Sequence, residues 1–191
     1  DCEIYHGWDL VKARMCDKQW GLFNVELFQF IDAQNYDEAT LEEVLASIQV
    51  DDDHWEWMLK SLCYKQQGYE WFFAMTEDGP QAACLIYHPK QSIFVPQDIF
   101  YIEYIAVAPW NRKNPMRQRT FRGVGSLLIK SIMDFARGSL NLTPGFSLHA
   151  IPRAVEFYES IGMVAHPPND KGVLKFYEMA EKQAHYFRCA A

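Results

Sequence analysis

Apolar and polar positions along this chain repeat with two different periods, and the switches between them mark out most of its elements. Residues 1–36 are rich in aromatics without one clean period, and WGLFNVELFQFID within them reads as a strand-like run. The pattern then turns helical. Thr40 opens T-L-E-E, a capping box with Glu43, and Leu41, Val44, Leu45 and Ile48 follow at helical spacing. Asp53 opens D-H-W-E with Glu56 in the same role, and Trp55, Met58, Leu59, Leu62 and Cys63 form one apolar stripe. Both stripes read as core. Trp57 falls off its stripe, which makes it a surface aromatic or part of a pocket wall.

From Tyr69 the period shortens to that of strands. YEWFFAM, a turn at EDGP and QAACLIYH predict a β-hairpin. A turn-rich stretch, HPKQSIFVPQ, leads into IFYIEYIAVA (Ile99–Ala108), the most strand-like run in the chain. RGVGSLLIKSIMDFARG then predicts a helix with Val124, Leu127, Leu128, Ile132 and Phe135 on one face and Gly138 as its stop. FSLHAI is a short strand, Pro152 opens a helix that Gly162 ends, and VLKFYEM (Val173–Met179) is a last strand. Helices, a hairpin and then alternating strands and helices predict a mixed α/β domain around one central sheet. No repeat or linker divides the chain, so one domain over 1–191 is expected, with 1–36 as an N-terminal segment of unassigned structure.

Composition narrows the class. With 49% apolar and 15% aromatic residues, 191 residues suffice for one filled core. No apolar run approaches the roughly 18 residues that span a bilayer. No charged-then-apolar leader opens the chain, so a soluble cytoplasmic protein is expected. Cys2, Cys16, Cys63, Cys84 and Cys189 are scattered, fitting neither a disulfide framework nor zinc spacing; they read as reduced thiols, and no metal is expected. A net charge of −7 argues against general nucleic-acid binding. The charge is uneven, however. Arg112, Lys113, Arg117, Arg119 and Arg122 stand together with no acid among them, which leaves −12 on the remainder. A cationic segment in an acidic body suggests a specific anionic ligand, or simply a solvated loop.

Three features carry candidate chemistry. Gly123 and Gly125 sit where a loop becomes a helix. There the missing Cβ atoms let backbone N–H groups approach a phosphate, although glycines kept for packing would look the same. Leu128 at the third position excludes a dinucleotide fingerprint, and no G-K-[ST] follows, which excludes a Walker loop. Glu103 is the one carboxylate in Ile99–Ala108 and shares a face with Tyr101, Ile105 and Val107. A desolvated carboxyl titrates late, which suits a general base; a Glu reaching solvent is the alternative. Tyr158, in AVEFYESIGM, taken alone reads as a core tyrosine beside the stripe of Ala154, Phe157 and Ile161.

In this order, YIEYIAVAP, RGVGSLL and AVEFYESIGM resemble the acetyl-coenzyme A core of the GNAT N-acetyltransferases over residues 99–179. The resemblance implies a mixed, mostly antiparallel sheet with a splayed strand pair, flanked by helices. It further implies that backbone groups of Ala106 and Val107 pair with the pantetheine arm. Thr120 and the segment Arg122, Gly123, Val124, Gly125 and Ser126 would hold the pyrophosphate. Glu103 would act as base and Tyr158 as the acid toward the departing thiolate. His149, a packed strand histidine, is left outside the site.

The sequence departs from the family pattern in three places. Thr120 stands where the family's loop has Gln or Arg. An insertion follows VAPWNR, so Arg117 or Arg119 would replace the missing side chain, and Ile151 replaces an Asn. The implied activity is acetyl transfer from acetyl-coenzyme A to an amine. The acids Asp51, Asp52, Asp53 and Glu56 beside Trp55 and Trp57 favour a cationic small molecule or a lysine side chain as acceptor. An acetyl-coenzyme A-binding regulatory module and a toxin-like enzyme acting on aminoacyl-tRNA are the alternatives. A homodimer is compatible with each.

Overall fold

A computed structural model describes residues 1–189, so the last two positions of the expected 1–191 domain lie outside the described residues. The elements are β1 (Glu3–His6), α1 (Leu10–Ala33), α2 (Glu38–Ser47), α3 (Trp57–Cys63), β2 (Tyr69–Thr76), β3 (Gly79–Gln91), β4 (Asp98–Val107), α4 (Val124–Ser139), β5 (Phe146–Ala150), α5 (Val155–Ser160), β6 (Val164–Ala165), β7 (Lys175–Met179) and α6 (Glu181–Cys189). The sheet has seven strands in the order β1-β2-β3-β4-β5-β7-β6. β4 and β5 run parallel, pairing Phe100–Ile102 with Phe146–Leu148, and β4 continues past that ladder to Val107. β1 with β2, β5 with β7 and β6 with β7 are antiparallel. This is the expected mixed, mostly antiparallel sheet. Among the described residues no helix is long and apolar enough to cross a membrane.

The chain packs as two compact units, and strands pass from one to the other. One comprises Asp1–Lys65, Trp71–Ala83 and Ala106–Ser126. Its backbone is α1, where the sequence reading expected a strand. Ala13, Cys16, Trp20, Phe23, Leu27 and Ile31 are buried at spacings of three and four, one face of a helix. Exposed Val11, Leu22, Val25 and Phe28 on the other side blurred that period. Asp9 caps the helix by accepting from Lys12 N at 3.0 Å.

The two helices that follow also differ from expectation. Asp37, one turn before Thr40, caps α2 by accepting from Thr40 N at 2.8 Å. No residue within α2 is buried, and of its expected stripe only Ile48, just past the helix, is in the core. α3 is rotated relative to its predicted stripe. Met58, Leu59 and Leu62 are exposed, while Trp57 is 2% exposed. Its N-terminus is capped from α1 rather than by Asp53: Trp57 N and Met58 N donate to the two oxygens of Asp17 at 2.6 and 2.9 Å. Trp57 meets Trp20 and Trp55 edge-on, each at 5.8 Å, and Trp71 at 6.2 Å. Burial of this cluster fixes α3, so core packing overrides the local pattern.

The other unit comprises Gln66–Glu70, Cys84–Ile105 and the chain from Leu127 on. Phe100 and Phe146 are partners in the parallel ladder, and their rings stack at 5.4 Å. α4 contributes Leu128, Ile129, Ile132 and Met133 to the core; predicted Leu127 is exposed instead. The helix continues past Gly138 to Ser139, and left-handed Asn141 follows it, with Leu142 N donating to Ala136 O at 3.1 Å. β3 takes in the first residues of HPKQSIFVPQ, and β1, β6 and α6 add short elements absent from the sequence reading.

Candidate active site

All residues expected to hold the cofactor lie in the unit built on α1. Ala106 is buried and Val107 half-buried at the end of β4. The Val107 carbonyl accepts from Arg112 Nε at 2.9 Å and Nη2 at 2.6 Å. The same guanidinium donates to Gln49 O at 2.9 Å and grips both oxygens of Asp52. Arg112 is therefore a structural clamp rather than a charge waiting for phosphate. It also engages the Val107 carbonyl expected to face pantetheine, and it occupies Asp52, one of the acids expected to draw in an amine.

The turn after β4 is tied down as firmly. Gln81 is buried; its Oε1 accepts from Trp110 Nε1 at 2.8 Å and Asn111 Nδ2 at 2.9 Å, and its carbonyl accepts from Ala108 N at 2.8 Å. Asn111 in turn accepts from Phe121 N at 2.9 Å, and Thr120 N donates to Trp110 O at 3.2 Å. The basic segment thus begins and ends at one place. Within it Arg117 lies over the Phe23 ring, 4.8 Å from its centre. Arg122 and Gly123 are exposed, Gly123 has φ +75°, and α4 begins at the next residue. The first-turn N–H groups of α4 have no partners within the helix. A Cβ on Gly125 would stand 3.4 Å from Val107 Cγ1, so the helix start and the strand end are neighbours.

Glu103 and Tyr158 belong to the other unit. Tyr101, Glu103 and Ile105 form the half-buried face of β4. Burial raises the Glu103 carboxyl above its ordinary value, against the opposing charges of Lys171 and Lys90. Tyr158 is the buried residue of α5, whereas Phe157 of the predicted stripe is exposed. Burial raises its phenol, with Cys84 adding to the effect. It stays protonated at neutral pH, as a proton donor must.

His149 is packed, as the sequence suggested, edge-on to Tyr101 at 5.8 Å and Phe176 at 5.2 Å. Its Nε2 lies 2.8 Å from Asn169 O, which can only accept, so Nε2 carries the proton. Nδ1 therefore accepts from the Tyr101 hydroxyl at 2.6 Å. Both ring nitrogens are engaged, and burial lowers the His149 pKa. Tyr101, Asp17 and the Arg112–Asp52 clamp had no signal in the sequence beyond residue type, because their partners are distant in the chain.

No family model matches the sequence, and no curated protein matches it either. Solved structures do match in shape. PaiA N-acetyltransferase from Thermoplasma acidophilum, in complex with coenzyme A, superposes with a TM-score of 0.56 at 11% identity, covering 93% of this chain and 98% of that one. A structure from Desulfovibrio desulfuricans, named as an acetyltransferase of the GNAT family, gives 0.52 at 15% identity, covering 95% and 99%. A spermidine N-acetyltransferase chimera of Vibrio cholerae SpeG and hSSAT gives 0.54 at 13% identity, covering 96% and 98%.

Proposed function

From the premise that this chain has the GNAT fold, we propose that it is an N-acetyltransferase moving the acetyl group of acetyl-coenzyme A to a primary amine. The observation that carries the reading is the left-handed Gly123 at the start of α4, with Gly125 close against the end of β4. First-turn N–H groups, which have no partners within the helix, and the helix dipole favour a pyrophosphate there, and exposed Arg122 adds positive charge. Acetyl-coenzyme A supplies the thioester. Glu103, with its raised pKa, takes a proton from the attacking amine directly or through water. The N–C bond forms, the C–S bond breaks, and Tyr158 returns a proton to the thiolate. The acceptor is a cationic amine, a small molecule or a lysine side chain, in keeping with the net charge of −7.

Release of free thiol from acetyl-coenzyme A across a panel of amines and lysine peptides tests the reading. Turnover with cationic amines is expected. Cofactor binding without turnover would make the protein a regulatory module, and absence of cofactor binding would refute the assignment outright.

A further inference from the structure

The side of α1 that faces away from the core carries a row of exposed side chains in a definite order. Arg14, Lys18, Leu22, Val25, Gln29 and Asp32 stand at spacings of four, four, three, four and three, which lines them along one side of the helix. Bases occupy one end, apolar residues the middle and an acid the other end. Leu22 and Val25 at the middle are 57% and 53% exposed. Among the described residues Arg14, Lys18 and Asp32 have no ion-pair partner, nor has Glu26 beside the row, whereas Lys12 is held by Asp9 at 2.6 Å.

The lone helix does not favour this order. α1 has no acid in its first turn and no base in its last, and Asp32 in the last turn opposes the helix dipole. A second copy of the same helix does favour it. Turned end for end about an axis between Leu22 and Val25, the row meets its own complement. Leu22 then faces the partner's Val25, Lys18 the partner's Gln29 and Arg14 the partner's Asp32, and symmetry repeats each contact. In a parallel register Arg14, Lys18 and Asp32 would each face a like charge, which disfavours that arrangement. Arg14 and Lys18 cancel Glu26 and Asp32 over the face as a whole. Anionic lipid or nucleic acid would therefore find no net positive charge on it.

We propose that this face pairs antiparallel with the same face of a second copy of the chain, closed at its centre by Leu22 on the partner's Val25 and at its ends by Arg14 on the partner's Asp32. The inference goes beyond the acetyl-transfer reading and stands whatever chemistry the chain performs. With 24 residues, α1 is about 36 Å long and about 10 Å across. One such face covers less than the roughly 800 Å² per partner of a standard interface, so the dimer is weak and concentration-dependent.

Sedimentation velocity on the full chain at low salt, from about 10 to 500 µM, tests the proposal. A monomer–dimer equilibrium is expected, and it should shift toward monomer as salt rises. Val25→Glu should weaken association at least about tenfold. Arg14→Asp and Asp32→Arg each set like charges together twice in the dimer, and each should weaken it about threefold to thirtyfold. Combined in one chain, the two changes restore opposite charges across the interface, and the double variant should return to within about threefold of the native chain. All three positions are exposed, and circular dichroism checks that the variants fold. A monomer throughout the range, a dimer indifferent to Val25→Glu, or a double variant as weak as the single ones would overturn the proposal. A chain that stays monomeric but floats with vesicles of anionic phospholipid would assign the face to a membrane and equally overturn it.

Discussion

Removing Asp52 should cost more than a surface ion pair can account for. The Arg112 and Asp52 side chains are only 11% and 15% exposed, and the pair is bidentate. Taking one partner from a fully buried pair costs about 3–5 kcal/mol, because the remaining charge is stranded. Here Arg112 would keep the carbonyls of Val107 and Gln49, which hold it in place and lower the loss. Asp52→Ala is therefore expected to cost about 2–3 kcal/mol. Arg112→Met should cost a similar amount, since it leaves both carbonyls and the carboxylate without their donor.

Urea unfolding followed by tryptophan fluorescence suits the measurement well. All six tryptophans (Trp8, Trp20, Trp55, Trp57, Trp71 and Trp110) fall in the unit that holds the pair. With a urea slope of about 2 kcal/mol per molar, each single variant should move the midpoint down by about 1–1.5 M. The double variant should lose clearly less than the sum of the two. Losses below about 0.5 kcal/mol for each single variant, or strict additivity, would mean that the pair behaves as an exposed one and that the clamp is incidental.

Further outcomes follow at three positions. Gly123→Ala should cost about 1–2 kcal/mol from its left-handed backbone alone, because a Cβ there meets nothing within 4 Å. Gly123→Asp should in addition weaken acetyl-coenzyme A at least about tenfold by calorimetry, and unchanged affinity would remove the loop from the site. The folded-state pKa of Glu103 is raised, so its contribution to stability is complete below the ordinary value of 4.5 and is lost as pH rises through the raised one. Glu103→Gln should therefore gain on the native protein between about pH 4.5 and 7 in urea midpoints read by circular dichroism, and parallel curves would contradict this. Tyr158→Phe should cut turnover about 10²- to 10⁴-fold with little change in melting temperature, and native turnover would make Tyr158 a packing residue only.

Strands β2 to β5 and β7, α4 and the glycine loop were legible in the sequence because local signals decide them: alternation, a two-residue turn and glycine at a helix start. The N-terminal half was not. In α1 the buried positions keep a helical period, but apolar residues on the exposed side hid it. In α3 the visible stripe points outward, because the helix is anchored through Trp57 in the aromatic cluster while Met58, Leu59 and Leu62 stay exposed. The caps failed for a related reason. Asp37 lies one turn before the motif that was read, and Asp17 caps a helix forty positions away. For the candidate site, residue type and order suggested Glu103 and Tyr158. Only the folded chain shows that Arg112 and Asp52 are spent on each other and that Tyr101 is tied to His149.

The knot around Gln81 and Asn111 has a consequence for how this chain tolerates change. Residue 111 holds residue 121 directly, so the nine-residue excursion between them closes on itself before it reaches the glycines. Each doubling of such a loop costs only about 0.6 kcal/mol in closure entropy. Residues added after Lys113 and before Arg119 would lengthen the excursion while its two feet, the Arg112 clamp and the start of α4 stay in place. This stretch is where an insertion, a tag or a reporter peptide can be spliced in without moving the helix that follows.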